Sequence, residues 1–369
     1  MSTSQPIPFF QLTHEFKALE AEWFAAIRAS GECGQFILGP QVEAFERRVA
    51  TRLETPYAIG VANGTDALVL ALRALAIGPG DEVITTPYTF FATVEAILQA
   101  GATPVFVDIQ ADTFNLDASQ IPAHISARTR AILPVHLFGH PADMEHIMDL
   151  AREYDLKVIE DAAQAFGATL ADRPVGSWGH AGCFSFYPTK VLGCYGDGGL
   201  VTSHHEVLNQ GVRHLRTHGA SAPFIHDAVG YNSRLDEIQA ALLNIKLRQV
   251  DQAIAQRRWV AERYEALLAD TNVICPSRAL AGTHVFNLYT IRSSNRAAVR
   301  SALSENHIGS AVCYPQPLHL QAVCRALGYA AGDLPVAERV ATEALSLPIF
   351  PGMTGVQIER VCEVIRQVV

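Results

Sequence analysis

Leu156-Lys-Val-Ile-Glu160-Asp161-Ala-Ala-Gln164 is an apolar run that reads as a buried strand and ends in a carboxylate, Asp161. Further along, Gly182-Cys-Phe-Ser-Phe-Tyr-Pro-Thr-Lys190 ends in a lysine. A lysine amine can hold an aldehyde cofactor as an imine. A carboxylate at a strand end can keep a pyridine nitrogen protonated. Together the two describe a pyridoxal phosphate site, where the cofactor is the electron sink and the protein supplies orientation and electrostatics. Neither residue is informative alone, since most lysines are solvated and most Asp residues after a strand cap a helix or turn.

Working outward, short β-rich apolar runs alternate with longer helical stretches from about residue 42 to residue 247. The runs are Tyr57-Ala-Ile-Gly-Val, Glu82-Val-Ile-Thr-Thr, Pro104-Val-Phe-Val-Asp, Ala131-Ile-Leu-Pro-Val-His and Lys157-Val-Ile-Glu-Asp. Amphipathic segments at residues 66–75, 91–99 and 143–154 lie between them. Near-continuous apolar strands separated by helices predict an α/β fold with a mostly parallel sheet covered on both faces. Such sheets bind ligands at the carboxyl ends of their strands. A long helical stretch over residues 235–268 then leads out of this domain. Residues 272–369, with a strand at His284-Val-Phe-Asn-Leu-Tyr-Thr-Ile, predict a smaller α+β domain. The expected division is an N-terminal segment at 1–40 that joins the small domain, a large domain at 41–250 and a small domain at 251–369.

The 369 residues carry a formal net charge of −9, which argues against a nucleic-acid binder and against an anionic membrane surface. Seven scattered cysteines form no CxxC pair, so neither a disulfide framework nor a zinc or other metal site is expected. The N-terminus has no basic region followed by an apolar core, and no uncharged stretch is long enough to span a membrane. A cytoplasmic protein is the expectation.

Several segments offer further parts of a site. Ala62-Asn-Gly64-Thr65 follows a strand and opens a helix, where free N–H groups and the positive dipole end favour a phosphate. Phe90 or Tyr88 could stack on a planar ring, although a place in the core is the commoner fate of such aromatics. Strand alternation turns Ser185 away from Phe184 and Phe186, towards the same phosphate. Four glycines within Gly193-Cys-Tyr-Gly-Asp-Gly-Gly199 favour close backbone approach to a ligand. Asn232 reads as a turn residue and Arg234 as a first-turn charge, with nothing functional in their spacing.

Taken jointly, these segments resemble the DegT/DnrJ/EryC1/StrS family of sugar-nucleotide aminotransferases. The resemblance rests on Asn63-Gly-Thr-Asp-Ala-Leu, Gly80-Asp-Glu-Val-Ile-Thr-Thr-Pro, Glu160-Asp-Ala-Ala-Gln-Ala-Phe-Gly, Phe184-Ser-Phe-Tyr-Pro-Thr-Lys and Gly196-Asp-Gly-Gly. Tyr231-Asn-Ser-Arg-Leu-Asp-Glu-Ile-Gln-Ala-Ala-Leu and Tyr314-Pro-Gln-Pro-Leu-His-Leu-Gln complete it. It implies a fold-type I, pyridoxal phosphate-dependent fold and a homodimer with active sites at the subunit interface. Lys190 then matches the Schiff-base lysine, Asp161 the partner of the pyridine nitrogen, Gln164 a residue over the ring and Phe90 the stacking aromatic. Gly64, Thr65 and Ser185 match phosphate ligands. Asn232 matches one given by the neighbouring subunit, and Arg234 is placed to meet a carboxylate from there. Tyr314 and His319 lie in a motif near the sugar-nucleotide end. Many relatives have Asn after the lysine, where this chain has Val191.

By that resemblance the reaction moves an amino group from L-glutamate, released as 2-oxoglutarate, to a nucleotide-linked keto-sugar. Tyr187 and Asp197 resemble relatives acting at C3 of UDP-2-acetamido-3-keto sugars. Relatives acting at C4 of 4-keto-6-deoxysugars more often have Phe-Ser-Phe-His before the lysine and Gly-Glu-Gly-Gly after it. Retention of Lys190 argues against the dehydratase branch, in which a histidine replaces that lysine. A dehydrogenase reading fails for want of a GxGxxG after a strand. A catalytically silent binding or regulatory protein is the remaining rival.

Overall fold

The computed structural model describes residues 5–278 and 281–369. In chain order it runs through α1 (Thr13–Cys33), α2 (Pro40–Arg52), β1 (Tyr57–Val61), α3 (Gly64–Ala74), β2 (Glu82–Thr85), α4 (Ala92–Ala100) and β3 (Thr103–Phe106). Next come β4 (Thr129–Leu133), α5 (Met144–Glu153), β5 (Lys157–Asp161), β6 (Thr169–Leu170), β7 (Arg173–Pro174), β8 (Ala181–Ser185), β9 (Gly199–Ser203) and α6 (Glu206–Leu215). A short hairpin, β10 (Ala220–Ala222) and β11 (Ile225–His226), precedes α7 (Glu237–Lys246) and α8 (Val250–Leu268). The rest is β12 (Gly282–Thr283), β13 (Tyr289–Arg292), α9 (Arg296–Glu305), α10 (Pro335–Glu343), β14 (Ala344–Leu347) and α11 (Gly355–Arg366).

Seven strands form the central sheet in the order β1-β9-β8-β5-β4-β2-β3. All its neighbours pair in parallel except those of β9, which is antiparallel to β1 and β8. The expected mostly parallel sheet is therefore present, and its strands are apolar because both faces are covered. On one face Val83, Ile159 and Val201 pack against α3, α4 and α6 through Leu68, Leu72, Ile97 and Val212. On the other, Ala58, Phe184 and Leu200 pack against α2 and α7 through Phe45, Val49 and Leu243. A separate core joins Val260 and Tyr264 of α8 to β13, β14, α9 and α11. Ile7 belongs to that core and bridges Ile308, whereas α1 lies against α7.

Two expected elements differ. The helix expected over residues 235–268 is broken into α7 and α8. Arg48 Nη1 donates to the Asn244 carbonyl at 2.9 Å, and the chain tightens into a turn with Gln249 N donating to Lys246 O. The strand expected from His284 begins only at Tyr289. Val285 N and Leu288 N donate instead to the carbonyls of Gly139 and Phe138, and Phe286 adopts φ 48°. Among the described residues no helix is long and apolar enough to cross a membrane.

A buried carboxylate starts one helix from another. α2 has no side-chain cap of its own, and Glu237 of α7 accepts the N–H groups of Gly39, Gln41 and Val42. A carboxylate suits a helix N-terminus, and this one is 1 % exposed. Replacing Glu237 with Ala orphans three amides and should lower stability by about 2–4 kcal/mol in urea unfolding, with Glu237→Gln losing less.

Candidate active site

Four strand ends meet on one side of the sheet. β1 leads to Asn63 and the start of α3, β2 leads to Phe90, β5 ends at Asp161 and β8 ends at Ser185. They wall a cleft of about 740 Å³. Gly64, Thr65, Phe90, Asp161, Gln164, Ser185, Lys190 and Tyr314 all line it.

At the first corner, Asn63 caps α3 by accepting the Asp66 N–H at 2.8 Å, and its carbonyl takes the Ala67 N–H. No acceptor among the described residues meets the N–H groups of Gly64 and Thr65. Val61, Gly199 and Ser185 form one row across β1, β9 and β8, which sets Ser185 beside this helix start. A Cβ on Gly64 would lie 2.7 Å from Ser185 Cβ, so only glycine allows that approach. Gly199 is required for a different reason from the one expected. A Cβ there would lie 2.2 Å from the Asn63 carbonyl oxygen, so its close neighbour is backbone rather than ligand.

Asp161 occupies the second corner, 5 % exposed. Its backbone is held on both sides, N to Pro134 O at 2.9 Å and O to His136 N at 3.0 Å. Oδ1 accepts the Ala163 N–H at 3.1 Å and Oδ2 accepts the Thr93 hydroxyl at 2.8 Å. Burial pushes this carboxyl above its usual range, while Thr93, the Ala163 N–H and the Lys190 charge pull it back. Lys190, half-buried after the turn closed by its N–H on Tyr187 O, is displaced the other way. Desolvation lowers its pKa to about 8, against the opposing pull of Asp161. Its amine is thus largely uncharged at a pH where ordinary lysines are ammonium ions.

Gln164 Oε1 accepts the Phe138 N–H at 2.8 Å, and Nε2 donates to the Tyr314 hydroxyl at 3.1 Å. That leaves the Tyr314 hydrogen free to donate. The two candidate aromatics separate. Tyr88 is core, its hydroxyl donating to Cys313 O, whereas Phe90 is 58 % exposed beside the Tyr314 ring.

Three expected residues lie elsewhere. Asn232 is exposed and accepts from the Arg234 guanidinium, and neither lines the cleft of its own chain. The structure does not bring His319 to the site either. It is 1 % exposed, with Nε2 3.1 Å from Glu338 Oε1. Sequence reasoning missed Thr89 and Thr93. The signal was two hydroxyls four residues apart beside Phe90, at the start of a helix whose other inward residues are apolar.

A helix start with two free N–H groups, a nearby hydroxyl, a donor-supported carboxylate and a desolvated amine together fit pyridoxal phosphate. The fold and cleft define a fold-type I, pyridoxal phosphate-dependent aminotransferase. The chain belongs to the DegT/DnrJ/EryC1/StrS aminotransferase family, whose model matches residues 17–366. It is 44 % identical over 364 residues to a Geobacillus stearothermophilus protein named a pleiotropic regulatory protein, covering 98 % of each chain. It is also 44 % identical to the UDP-N-acetyl-3-dehydro-alpha-D-glucosamine 3-aminotransferase of Acidithiobacillus ferrooxidans, covering 100 % of this chain and 99 % of that one. The dTDP-3-amino-3,4,6-trideoxy-alpha-D-glucose transaminase of Streptomyces venezuelae is 42 % identical, with 98 % and 96 % covered. Among solved structures, S. venezuelae DesV in complex with a ketimine intermediate superposes with a TM-score of 0.96 at 42 % identity, covering 99 % of this chain and 98 % of that one. This protein is a sugar aminotransferase.

In the apoprotein, the rate of pyridoxal phosphate uptake, followed by visible absorbance, should rise with pH through a midpoint at about 8. Asp161→Asn should move that midpoint down, because it removes the anion that favours the ammonium form. Lys190→Ala should abolish the colour.

Proposed function

We propose that this enzyme transfers an amino group from L-glutamate to C3 of a UDP-2-acetamido-2-deoxy-3-oxo-sugar, giving a 3-amino sugar nucleotide and 2-oxoglutarate. The observation that carries the reading is one cleft holding a desolvated Lys190, a buried Asp161 and the open start of α3. When bound, pyridoxal phosphate supplies the electron sink and carries the amino group between the two substrates. Gly64 N–H, Thr65 and Ser185 would bind the phosphate. Asp161 would hold the proton on the ring nitrogen, and Phe90 and Gln164, which line the same cleft, would contact the ring. Lys190 Nζ takes the proton from Cα of the donor as a general base, a role suited by a pKa of about 8. In the second half of the cycle it returns a proton to the sugar carbon that gains nitrogen. The Tyr314 hydroxyl, which lines the cleft, would donate its free hydrogen to the sugar nucleotide.

Asn232 and Arg234 are absent from the cleft of their own chain, in keeping with a homodimer in which they complete the partner's site. Position 3 is supported by Tyr187 and Asp197, which line the cleft, and by the names of the Acidithiobacillus and Streptomyces relatives. The Streptomyces relative favours a second reading, a dTDP-linked deoxysugar aminated at C3.

A panel of 3-keto and 4-keto sugars on UDP and dTDP, assayed for 2-oxoglutarate release from glutamate, tests the proposal. The UDP-2-acetamido-3-keto sugar should be turned over fastest. Faster turnover of the dTDP 3-keto sugar would select the second reading, and preference for a 4-keto sugar would overturn both.

A further inference from the structure

Thr93 Oγ1 lies 2.8 Å from Asp161 Oδ2 and 3.1 Å from Thr89 Oγ1. All three side chains are removed from solvent, Thr93 at 0 %, Thr89 at 2 % and Asp161 at 5 % exposure. A hydroxyl has one hydrogen, and an ionised carboxylate can only accept. The other carboxylate oxygen already faces a backbone N–H, that of Ala163, which can only donate. The arrangement is satisfied throughout when Thr89 donates to Thr93, Thr93 donates to Asp161, and Asp161 carries the negative charge. Thr93 sits in the first turn of α4, and valine, with a methyl in place of the hydroxyl, has nearly the same shape. Its hydroxyl is therefore separable from its packing.

We propose that Thr93 is a positioning residue for the reaction, its hydroxyl, oriented by Thr89, holding Asp161 ionised and aimed at the protonated ring nitrogen of the cofactor. The proposal rests on the reading of Asp161 as the partner of that nitrogen. Charge-assisted hydrogen bonds of this kind are about twice as strong as neutral ones, and an unmet buried acceptor is costly. Removing the hydroxyl alone leaves one carboxylate oxygen bare in a dry site. The carboxylate then holds the ring nitrogen less well, while the phosphate and ring-face contacts are untouched.

The test is binding of two ligands to apoprotein by titration calorimetry, with no turnover involved. One is pyridoxamine 5′-phosphate, which does not need Lys190. The other is its analogue with carbon in place of the ring nitrogen. Asp161→Asn sets the scale and should abolish the preference for the nitrogen ligand. Thr93→Val, which keeps the shape, should weaken binding of the nitrogen ligand about tenfold and leave the carbon analogue unchanged. Thr93→Ser should retain the preference and Thr89→Val should lose part of it, which keeps the test open if Thr93→Val fails to fold. Equal losses for both ligands in Thr93→Val, or no loss, would overturn the role of Thr93. A preference that survives Asp161→Asn would overturn the ring-nitrogen reading instead.

Discussion

A carboxylate buried at the end of the central strand is the constraint around which this molecule is arranged. Asp161 lies among apolar strands, where an unsupported charge would simply take up a proton. Its surroundings oppose that by geometry, although burial still raises its pKa on balance. Its backbone is tied to Pro134 and His136 across the neighbouring strand end, and its two oxygens meet Ala163 and Thr93 from different elements. The start of α4 must therefore reach over β5, and the loop after β4 must follow the same line. Gln164, three residues on, extends the frame to Phe138 on one side and Tyr314 on the other. The cleft inherits its walls from these ties.

Two more carboxylates repeat the device without entering the cleft. Glu160 is fully buried and accepts the N–H groups of Gly176, Trp178 and Gly179 while facing His136 Nε2. It fastens the loop before β8, and so sets the strand that carries Ser185 and leads to Lys190. Glu46 accepts the Gly60 N–H and two arginines, Arg213 and Arg216, fixing α2 and α6 to β1. Adjacent residues Glu160 and Asp161 point to opposite faces of one strand, so one builds the scaffold and the other faces the cleft.

The sequence was most legible where local pattern and chemistry coincide. Apolar runs with period-free burial marked five of the seven sheet strands, and alternation through Cys183-Phe-Ser-Phe correctly set Ser185 against Phe184 and Phe186, both wholly buried. What it hid was determined by partners distant along the chain. The break between α7 and α8 depends on Arg48, the late start of β13 on the carbonyls of residues 138 and 139, and the cap of α2 on Glu237. Thr93, behind Asp161, and His319, away from the cleft, mark the same limit. A threonine in an apolar helix gives no local sign that it meets a carboxylate, and a histidine in a promising motif gives none that a glutamate already holds it.

The proposed chemistry requires Lys190 to be the amine that meets the cofactor. Borohydride reduction of the holoenzyme, followed by peptide mapping in a mass spectrometer, reads this directly. The cofactor mass should appear on the peptide carrying Lys190 and on no other. Attachment at another lysine, or none after reduction of coloured protein, would contradict that chemistry.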